Sequence, residues 1–469
     1  MSARHLTLSF LGGVGTVTGS KFLLTWGRRR VLVDAGVFQG EKEWRGRNWE
    51  EFPVDPSTIS DVVLTHAHMD HAGYLPALVK GGFHGPVWVT EGTRRLAPIL
   101  LRDAGQLQER DAELAAAGGY SRHHPPRPLY TLADVEQALP LLRAVPFDTD
   151  VDLGSEVRLR FTRAGHILGG ASATVDLGGT TVLFSGDLGR SSHPVLRPRS
   201  TPAGAPWVVI ESTYGDREHP EPDGPPHEQL ADAIRRTLAR GGSVLVPAYA
   251  VDRTEVVLQA LTDMRVSGRI PEVPIYVDSP MALAALATYR EAGMRGELRP
   301  DLPQDNFLRM PDLWTARTTE ESEALGRQRK PSIIISASGM ATGGRVLQHL
   351  ARMLPDQRNT VVLVGYQAAG TRGRELVEGA RKVKLHGRYV PVRAEVLLET
   401  EFSVHADRSE LLDWLRGLTP APETVFVVHG EPEAAAALAE RIESDLGWLA
   451  VVPSHGEVVS LGPPTTERD

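Results

Sequence analysis

The stretch THAHMDHAG, residues 65–73, places three histidines and one aspartate within six consecutive positions. The apolar run DVVL before it predicts a buried strand, and AGYLPALVK after it predicts the start of a helix. In extended backbone, side chains two positions apart point the same way, so His66 and His68 can face one point. Asp70 and His71 fall where the chain turns and can reach a second point close by. Two metal ions near each other would explain the crowding.

Single histidines and aspartates at four other predicted strand ends extend this cluster. They are Asp34 after RVLV, His166 in AGHILGGA, Asp187 in FSGDLGR and His429 in VVHGE. One such residue is usually a cap or a turn residue, but the complete set is a specific signal, because strand ends at one edge of a sheet lie together. The chain has no cysteine, so a metal must be held by His, Asp, Glu or backbone groups.

Composition narrows the class of protein. A chain of 469 residues with 41% hydrophobic and 23% charged residues is typical of a globular protein with more than one domain. The net charge of −8 argues against coating nucleic acid through bulk charge, but it leaves room for a local basic groove. We find no apolar run long enough to span a bilayer and no signal peptide, so we expect no membrane partner and a cytoplasmic location.

The predicted elements divide the chain into three segments. The first is rich in strands, whereas from about residue 207 buried strands alternate with helices, a pattern typical of a parallel, Rossmann-like sheet. Near residue 383 the earlier strand style returns. We therefore predict an α/β protein with one domain interrupted by another: residues 1–206 form its first part, 207–382 the insertion and 383–469 the part that completes it.

Several loops of the inserted segment are suited to binding phosphate. SASGMATGG and GYQAAGTRGREL each join a buried strand to a helix, and they offer amides, hydroxyls and a helix N-terminus to an anion. Ligands bind at the carboxyl ends of parallel strands, where these loops lie. The predicted phosphate or RNA contacts are Ser336, Ser338, Gly339, Arg253, Gln367, Thr371, Arg372 and Arg374.

Taken in order, these motifs resemble a known family. VLVDAG, THAHMDH, GHILGG and SGD are similar to the first four motifs of the metallo-β-lactamase superfamily. ESTYG, FSVHAD and VVHGE resemble motifs A, B and C of its β-CASP branch, the nucleases of RNA processing and DNA repair. The resemblance runs from residue 6 to about residue 461 and is close to short relatives of the subunit that cleaves pre-messenger RNA. It implies an αββα domain with a β-CASP domain inserted over the active-site groove.

The resemblance also implies the composition of the site. It assigns seven ligands to two zinc ions: His66, His68 and His166 to one, Asp70, His71 and His429 to the other, and Asp187 to both. A hydroxide shared by the two ions would complete both coordination shells. Asp34 would orient ligands from below. Related diiron proteins carry glutamate at the position of His68, so this histidine favours zinc over iron.

The predicted catalytic residues are Asp70, His405 and Glu211. His405, in FSVHAD, has an imidazole whose ordinary pKa lies near neutral pH, so it can protonate a leaving 3′-oxygen. Glu211, in ESTYG, would hold and polarise it. Two departures from the family pattern are Val404 in place of alanine and Asp252, where many relatives have glycine before the arginine.

These features predict a zinc-dependent endoribonuclease acting on single-stranded RNA, because a histidine at motif C accompanies the RNA-processing members. A 5′-3′ exoribonuclease remains an alternative, since some bacterial relatives combine both activities. A small-molecule ester or lactone hydrolase would account for the ligands but not for the inserted segment. A non-catalytic scaffold would have lost ligands, and here each one is present. We expect a homodimer from family habit.

Overall fold

The structure is a computed structural model that describes residues 5–118, 126–219, 224–302, 308, 310, 312–328 and 330–462. The strands of the first half of the chain are β1 (Leu6–Gly12), β2 (Lys21–Trp26), β3 (Arg29–Val33), β4 (Asp61–Val63), β5 (Val87–Val89), β6 (Leu142–Ala144), β7 (Val151–Gly154), β8 (Val157–Arg163), β9 (Ala171–Leu177), β10 (Thr180–Phe184) and β11 (Trp207–Glu211). The strands of the second half are β12 (Val244–Pro247), β13 (Ile275–Val277), β14 (Leu313–Thr315), β15 (Ile333–Ser336), β16 (Thr360–Leu363), β17 (Lys382–Leu385), β18 (Arg388–Pro391), β19 (Glu395–Leu398), β20 (Thr424–Val428), β21 (Leu449–Val451) and β22 (Val458–Leu461).

Helices connect most of these strands. They are α1 (Lys42–Arg47), α2 (Met69–Ala72), α3 (Leu75–Lys80), α4 (Glu91–Gly118), α5 (Leu132–Ala138), α6 (Glu228–Ala239), α7 (Arg253–Val266), α8 (Pro280–Tyr289), α9 (Thr319–Arg327), α10 (Val346–Met353), α11 (Arg372–Val377), α12 (Arg408–Arg416) and α13 (Pro432–Leu446). Within the described residues, none of these helices combines the length and apolar character that crossing a bilayer needs.

Two seven-stranded sheets face each other across an apolar core. Their strand orders are β22-β1-β2-β3-β4-β5-β6 and β21-β20-β11-β10-β9-β8-β7. Phe10 of the first sheet packs against Phe426 of the second, with ring centroids 5.2 Å apart, and Phe22 packs against Phe184 at 5.9 Å. Helices α3, α4 and α5 cover the outer face of the first sheet, and α12 and α13 cover that of the second. These helix, sheet, sheet and helix layers confirm the predicted αββα class.

A third sheet, with order β14-β13-β15-β12-β16-β19, is parallel throughout. Its strands β12, β15 and β16 are buried along their whole length, because α7 and α8 pack on one face and α10 and α11 on the other. The predicted Rossmann-like alternation of buried strands and helices is therefore present.

Two strands lie in different sheets from those that the sequence suggested. β11 was expected to begin the inserted segment, but it pairs in parallel with β10 and β20 of the second sheet. β19 was expected to return to the first domain, but it pairs with β16 of the third sheet. A short apolar run signals a buried strand without specifying its neighbours. We therefore propose that the inserted domain spans about residues 212–398 rather than 207–382.

The inserted domain is joined to the two-sheet domain by a continuous core and by buried polar contacts. One apolar cluster includes residues of α4 as well as α7 and α8. Asp252, in the turn before α7, lies 3.1 Å from Nε2 of His193 in the other domain. Its second oxygen accepts a hydrogen bond of 2.9 Å from the Tyr289 hydroxyl. This gives the aspartate that departs from the family pattern a structural role.

Candidate metal centre

The seven predicted ligands and Asp34 come from separate chain segments that meet at one edge of the facing sheets. Asp34 follows β3, His66 and His68 follow β4, Asp70 and His71 lie in α2, His166 lies between β8 and β9, Asp187 follows β10 and His429 follows β20. The structure thus brings together every residue that the sequence proposed for metal binding.

The first cluster consists of three imidazoles and one carboxylate. Nδ1 of His68 lies 3.2 Å from Nε2 of His66 and 3.3 Å from Nε2 of His166. Oδ2 of Asp187 lies 3.5 Å from Nε2 of His66 and 3.7 Å from Nε2 of His166. Four ligand atoms arranged tetrahedrally around zinc would be separated by roughly 3.3 Å. The spacing of the donor atoms therefore fits a tetrahedral zinc ion.

The second cluster lies on the other side of Asp187. Nε2 of His71 is 3.1 Å from Nε2 of His429 and 3.2 Å from Oδ1 of Asp187. Oδ2 of Asp70 is 3.7 Å from Nε2 of His429. Oδ1 of Asp187 is buried and accepts no hydrogen bond within the described residues. Because the two carboxylate oxygens face different clusters, Asp187 is placed where a bridging ligand would be.

Polar groups behind the histidines orient their rings. Oδ2 of Asp34 lies 2.7 Å from Nδ1 of His71. The Thr65 hydroxyl donates to Asp34 over 2.9 Å and lies 3.1 Å from Nδ1 of His66. The Thr213 hydroxyl lies 3.2 Å from Nδ1 of His429. Each contact engages the Nδ1 atom, so Nε2 is left for the cluster.

The sequence analysis did not single out Thr65 and Thr213, although both lie inside quoted motifs, THAHMDHAG and ESTYG. Thr65 directly precedes the predicted ligand His66, and Thr213 follows the predicted catalytic residue Glu211 by two positions. These positions were the signal that could have identified them.

The pKa values of the histidines indicate which rings are neutral and can bind a metal ion directly. Burial lowers the pKa of three of them, namely His66, His68 and His166. At neutral pH these rings are neutral and keep a lone pair for a cation. Burial also acts to lower the pKa of His71, but the carboxylates of Asp187 and Asp34 outweigh it and raise this pKa well above its ordinary value. A divalent cation would replace that proton.

His405 and Glu211 form a pair beside the first cluster. Nδ1 of His405 lies 3.4 Å from Oε1 of Glu211, and its ring centroid lies 4.4 Å from that of His166. Burial acts to lower the pKa of His405, but the Glu211 carboxylate outweighs it, and the pKa is raised above its ordinary value. The raised pKa favours the protonated form of His405, which is the form that a general acid needs.

Glu211 also lies within metal-binding distance of Asp187 and His429. Both of its oxygens already accept backbone hydrogen bonds, Oε1 from the Leu188 amide at 2.6 Å and Oε2 from the Thr213 amide at 3.3 Å. These contacts tie the end of β11 to the segments that carry Asp187 and motif A. We therefore interpret Glu211 as a positioning residue for His405 rather than as an eighth ligand.

Arg253 differs from Arg372 and Arg374, the other predicted cationic contacts, because its side chain is buried. It is 6% exposed, and neither Nε nor Nη1 has a hydrogen-bond partner in the part of the chain that the structure describes. Burial lowers its pKa. A Cβ added at Gly365 would lie 3.7 Å from its Cζ, so the guanidinium lies against the loop after β16. An anion reaching this group would satisfy a buried cation.

The polar side chains of the two loops mostly hold the loops themselves. Ser336 donates to the Asp278 carbonyl, and the Ser338 hydroxyl accepts from the Thr342 amide. Gln367 donates to the Gly339 and Gly365 carbonyls. Thr371 caps α11, Arg372 donates to the carbonyls of Lys384, Ala341 and Thr342, and Arg374 pairs with Glu378. In this structure these side chains shape the loops, and phosphate contact by them stays a prediction.

Two residues that the sequence analysis did not identify hold the loop that carries His166. The Tyr289 hydroxyl accepts a hydrogen bond of 3.1 Å from the Leu168 amide. Oε2 of Glu297 accepts one of 2.7 Å from the Gly169 amide. Both residues belong to the inserted domain and lie outside every recognised motif, so no sequence signal pointed to them.

The fold and the cluster define a metal-dependent hydrolase whose site lies at the edge of two facing sheets, next to an inserted α/β domain. Family descriptions match three segments: the metallo-β-lactamase superfamily over residues 18–249, the β-CASP domain over 254–376, and a Zn-dependent metallo-hydrolase RNA specificity domain over 389–453. The chain belongs to the metallo-β-lactamase superfamily and, within it, to the β-CASP ribonuclease branch. The resemblance predicted from the motifs is confirmed.

Named relatives cover most of the chain. Ribonuclease TTHA0252 of Thermus thermophilus is 39% identical over 92% of this chain and 94% of its own length. Transcription termination factor FttA of Pyrococcus abyssi is 30% identical over 98% of this chain and 72% of its own length. An RNase J-like protein of Methanocaldococcus jannaschii is 29% identical, with 97% and 99% covered. A solved structure of a protein of unknown function from Enterococcus faecalis, 12% identical with a TM-score of 0.52, shares the fold over 97% of this chain and 100% of its own.

Proposed function

We propose that this protein is a zinc-dependent endoribonuclease that hydrolyses phosphodiester bonds of single-stranded RNA. The observation that carries the proposal is the set of seven donor residues in two clusters that share Asp187, with His405 held beside them by Glu211. When bound there, two zinc ions would lower the pKa of water and neutralise charge on the phosphoryl oxygens. Two ions per chain are part of the proposal.

The chain's own residues supply orientation and the proton. Glu211 holds Nδ1 of His405, and Nε2 makes no hydrogen bond within the described residues, so it is available to protonate the leaving 3′-oxygen. Arg253 offers its unpaired guanidinium to a substrate phosphate.

Three comparisons support RNA as the substrate. Residues 389–453 match a domain described as an RNA specificity domain. The relative covered almost end to end is named a ribonuclease, and another is named RNase J-like. The relatives named transcription termination factors extend well beyond the region of similarity, which covers 71–72% of their length in five of them. The ribonuclease activity is therefore the better supported proposal.

Internal cleavage rests on the resemblance to the pre-messenger RNA cleavage subunit, and a circular substrate tests it. We would incubate the protein with circular and linear single-stranded RNA of one sequence, with and without chelator. We expect the circle to be opened and chelator to stop the reaction. Degradation of the linear RNA alone would establish exonuclease action. If both the circular and the linear RNA remained intact, the nuclease proposal would be contradicted.

We propose in addition that the protein is a cytoplasmic homodimer, as expected from family habit. Leu449 and Val458, on the edge strands β21 and β22, are 56% and 60% exposed and offer apolar surface for such contact. Light scattering coupled to size-exclusion chromatography measures the mass directly. A mass near 51 kDa at micromolar concentration would contradict the dimer.

A further inference from the structure

The hairpin formed by β17 and β18 carries a concentration of positive charge that is unusual for this chain. Between Ala380 and Ala394 there are five lysines and arginines and no aspartate or glutamate, whereas the whole chain has 59 acidic and 51 basic residues. We call this segment the basic hairpin. Its cations are Arg381, Lys382, Lys384, Arg388 and Arg393, and all five are exposed.

These cations are not neutralised by neighbouring carboxylates. Among the described residues, none of the five forms an ion pair. Arginines close to them in the sequence behave differently, since Arg374 pairs with Glu378 at 2.6 Å and Arg358 pairs with Asp356 at 2.7 Å. An unpaired cluster of exposed cations produces a local positive potential that attracts anionic partners.

The register of the hairpin places cations and an aromatic ring on one face. Lys384 is paired with Tyr389 across the two strands, and Val383 is paired with Val390. Val383 and Leu385 point into the core beside α10 and α11, so Lys384 and Tyr389 point outward. Tyr389 is 68% exposed, and the ammonium of Lys382 lies 5.1 Å from its ring centroid. An exposed ring among cations is the arrangement that binds a base and its phosphates.

Contacts also tie the basic hairpin to the loops near the candidate metal centre. Arg372 donates to the Lys384 carbonyl at 2.8 Å and to the Thr342 carbonyl at 3.1 Å, so it joins β17 to the loop after β15. Arg372 begins α11, which follows the loop that contains Tyr366. The ring of Tyr366 lies 6.4 Å from that of Tyr214, which lies 6.2 Å from that of His405. The hairpin is therefore joined, through α11 and the loop before it, to the side of the inserted domain that faces His405.

We propose that the basic hairpin is a second contact for single-stranded RNA, outside the metal centre. Phosphates would contact Lys382 and Lys384 on the outward face and the exposed Arg388 beside the turn, and a base would stack on Tyr389. The identification of the bound polymer as RNA rests on the proposed function. Residues 377–388 lie between the segments that match the β-CASP and RNA specificity descriptions, so neither description covers most of this surface. RNA fits better than an acidic protein, because the outward face combines cations with an aromatic ring.

The test compares two triple variants that remove the same charge. The first is Lys382→Gln, Lys384→Gln and Arg388→Gln, which keeps Val383 and Leu385 in the core. The control is Arg28→Gln, Arg143→Gln and Arg158→Gln, three exposed arginines of the two-sheet domain. Binding of a fluorescent 30-nucleotide single-stranded RNA is followed by anisotropy in chelator, so that no RNA is cut. Circular dichroism verifies that both variants are folded.

We expect the hairpin variant to bind about tenfold more weakly than the control and to reduce the slope of log affinity against log salt by about 2, as three lost phosphate contacts would. Tyr389→Ser should weaken binding about fivefold or more, and Tyr389→Phe should retain it, because stacking needs only the ring. RNA of about 8 nucleotides, held at the metal centre, should not distinguish the variants.

Equal binding of the 30-nucleotide RNA by the two triple variants would overturn the proposal, and the surface would then suit an acidic protein. This outcome is independent of cleavage. A protein that does not cut RNA, but whose hairpin variant binds it more weakly than the control, would refute the proposed function and leave the hairpin contact standing.

Discussion

At the scale of single residues, Asp187 has the most consequential position. Its two carboxylate oxygens face different donor clusters, and it is 3% exposed. Burial acts to raise its pKa, but the surrounding histidines, His429 and His71 first, outweigh it and hold the pKa well below its ordinary range. The carboxylate is thus ionised at any pH at which the protein works. Each cluster depends on it, whereas His68 belongs to one cluster only.

The zinc content of variants should distinguish Asp187, which faces both clusters, from His68, which belongs to one. We expect wild-type protein to contain about two zinc ions per chain, His68→Asn about one, and Asp187→Asn less than one, since the aspartate serves both clusters. Mass spectrometry of the purified, dialysed proteins measures this directly. His84→Asn, an exposed histidine outside the site, is the control. Two ions retained in His68→Asn would exclude this residue as a ligand.

The Glu211 carboxylate sets the pH range over which His405 keeps its proton. Because it raises the pKa of His405, replacing it with glutamine should lower that pKa and move the alkaline limit of activity to lower pH. For each unit of that shift, the rate above the limit falls about tenfold. Single-turnover cleavage measured from pH 5 to 9 tests this, with the exposed Glu218→Gln as the control. An unmoved alkaline limit would separate Glu211 from the proton donor.

At the scale of secondary-structure elements, buried polar side chains hold helices to the ends of strands. Asp278, directly after β13, accepts hydrogen bonds from Ser322 of α9 at 2.5 Å and from Arg345 next to α10 at 2.7 Å, and lies 2.6 Å from Nε2 of His349. It is fully buried. Burial acts to raise its pKa, but these partners outweigh it and the pKa is lowered. One carboxylate therefore links two helices to the third sheet.

Removing that charge should destabilise the inserted domain. We expect Asp278→Asn to lower the free energy of unfolding by about 3–5 kcal/mol, as when one partner of a buried ion pair is lost. Since the pKa is lower in the folded state, the stabilisation is present at neutral pH and is lost as the pH falls through the acidic range. Urea unfolding at pH 7 and pH 4 measures both effects. Asp356→Asn, at the surface, should change stability by less than about 0.5 kcal/mol.

At the scale of the whole molecule, the inserted domain lies beside the candidate metal centre and also makes hydrogen bonds to one of the loops that form it. The loop that carries His166 has two of its amides bound by Tyr289 and Glu297 of the inserted domain. Burial raises the pKa of Glu297 to about 7. Asp252 connects Tyr289 to His193 across the same boundary. The position of one candidate ligand thus depends on packing between domains.

Tyr289→Phe should therefore weaken zinc binding although Tyr289 touches no donor atom. The change leaves the buried Leu168 amide without an acceptor, and we expect about a tenfold loss of zinc affinity. Competition with a chromophoric chelator measures it. Tyr276→Phe, which removes a hydroxyl bonded to Gln328 at an exposed edge, is the control and should not change the affinity. Identical affinities in the two variants would mean that the loop holds its place without the inserted domain.

The sequence predicted best those features whose informative residues lie close together along the chain. His66, His68, Asp70 and His71 are neighbours, so their spacing alone indicated the cluster. β11 and β19 pair with sheets other than those that the predicted segment bounds suggested, because apolar runs do not encode their partners. Tyr289 and Glu297 could not be found, since their role depends on packing between domains. Arg372 was predicted as a phosphate contact from its loop, and the carbonyls to which it also donates lie 12 and 30 positions away, outside that motif.

The metal centre draws its last candidate ligand from near the end of the chain. His71 and His429 face each other at 3.1 Å but are separated by 358 positions, with the whole inserted domain between them. During translation, a growing polypeptide holds six of the seven donors long before it holds the seventh. A nascent chain therefore cannot assemble the complete centre until the whole inserted domain and β20 have been synthesised.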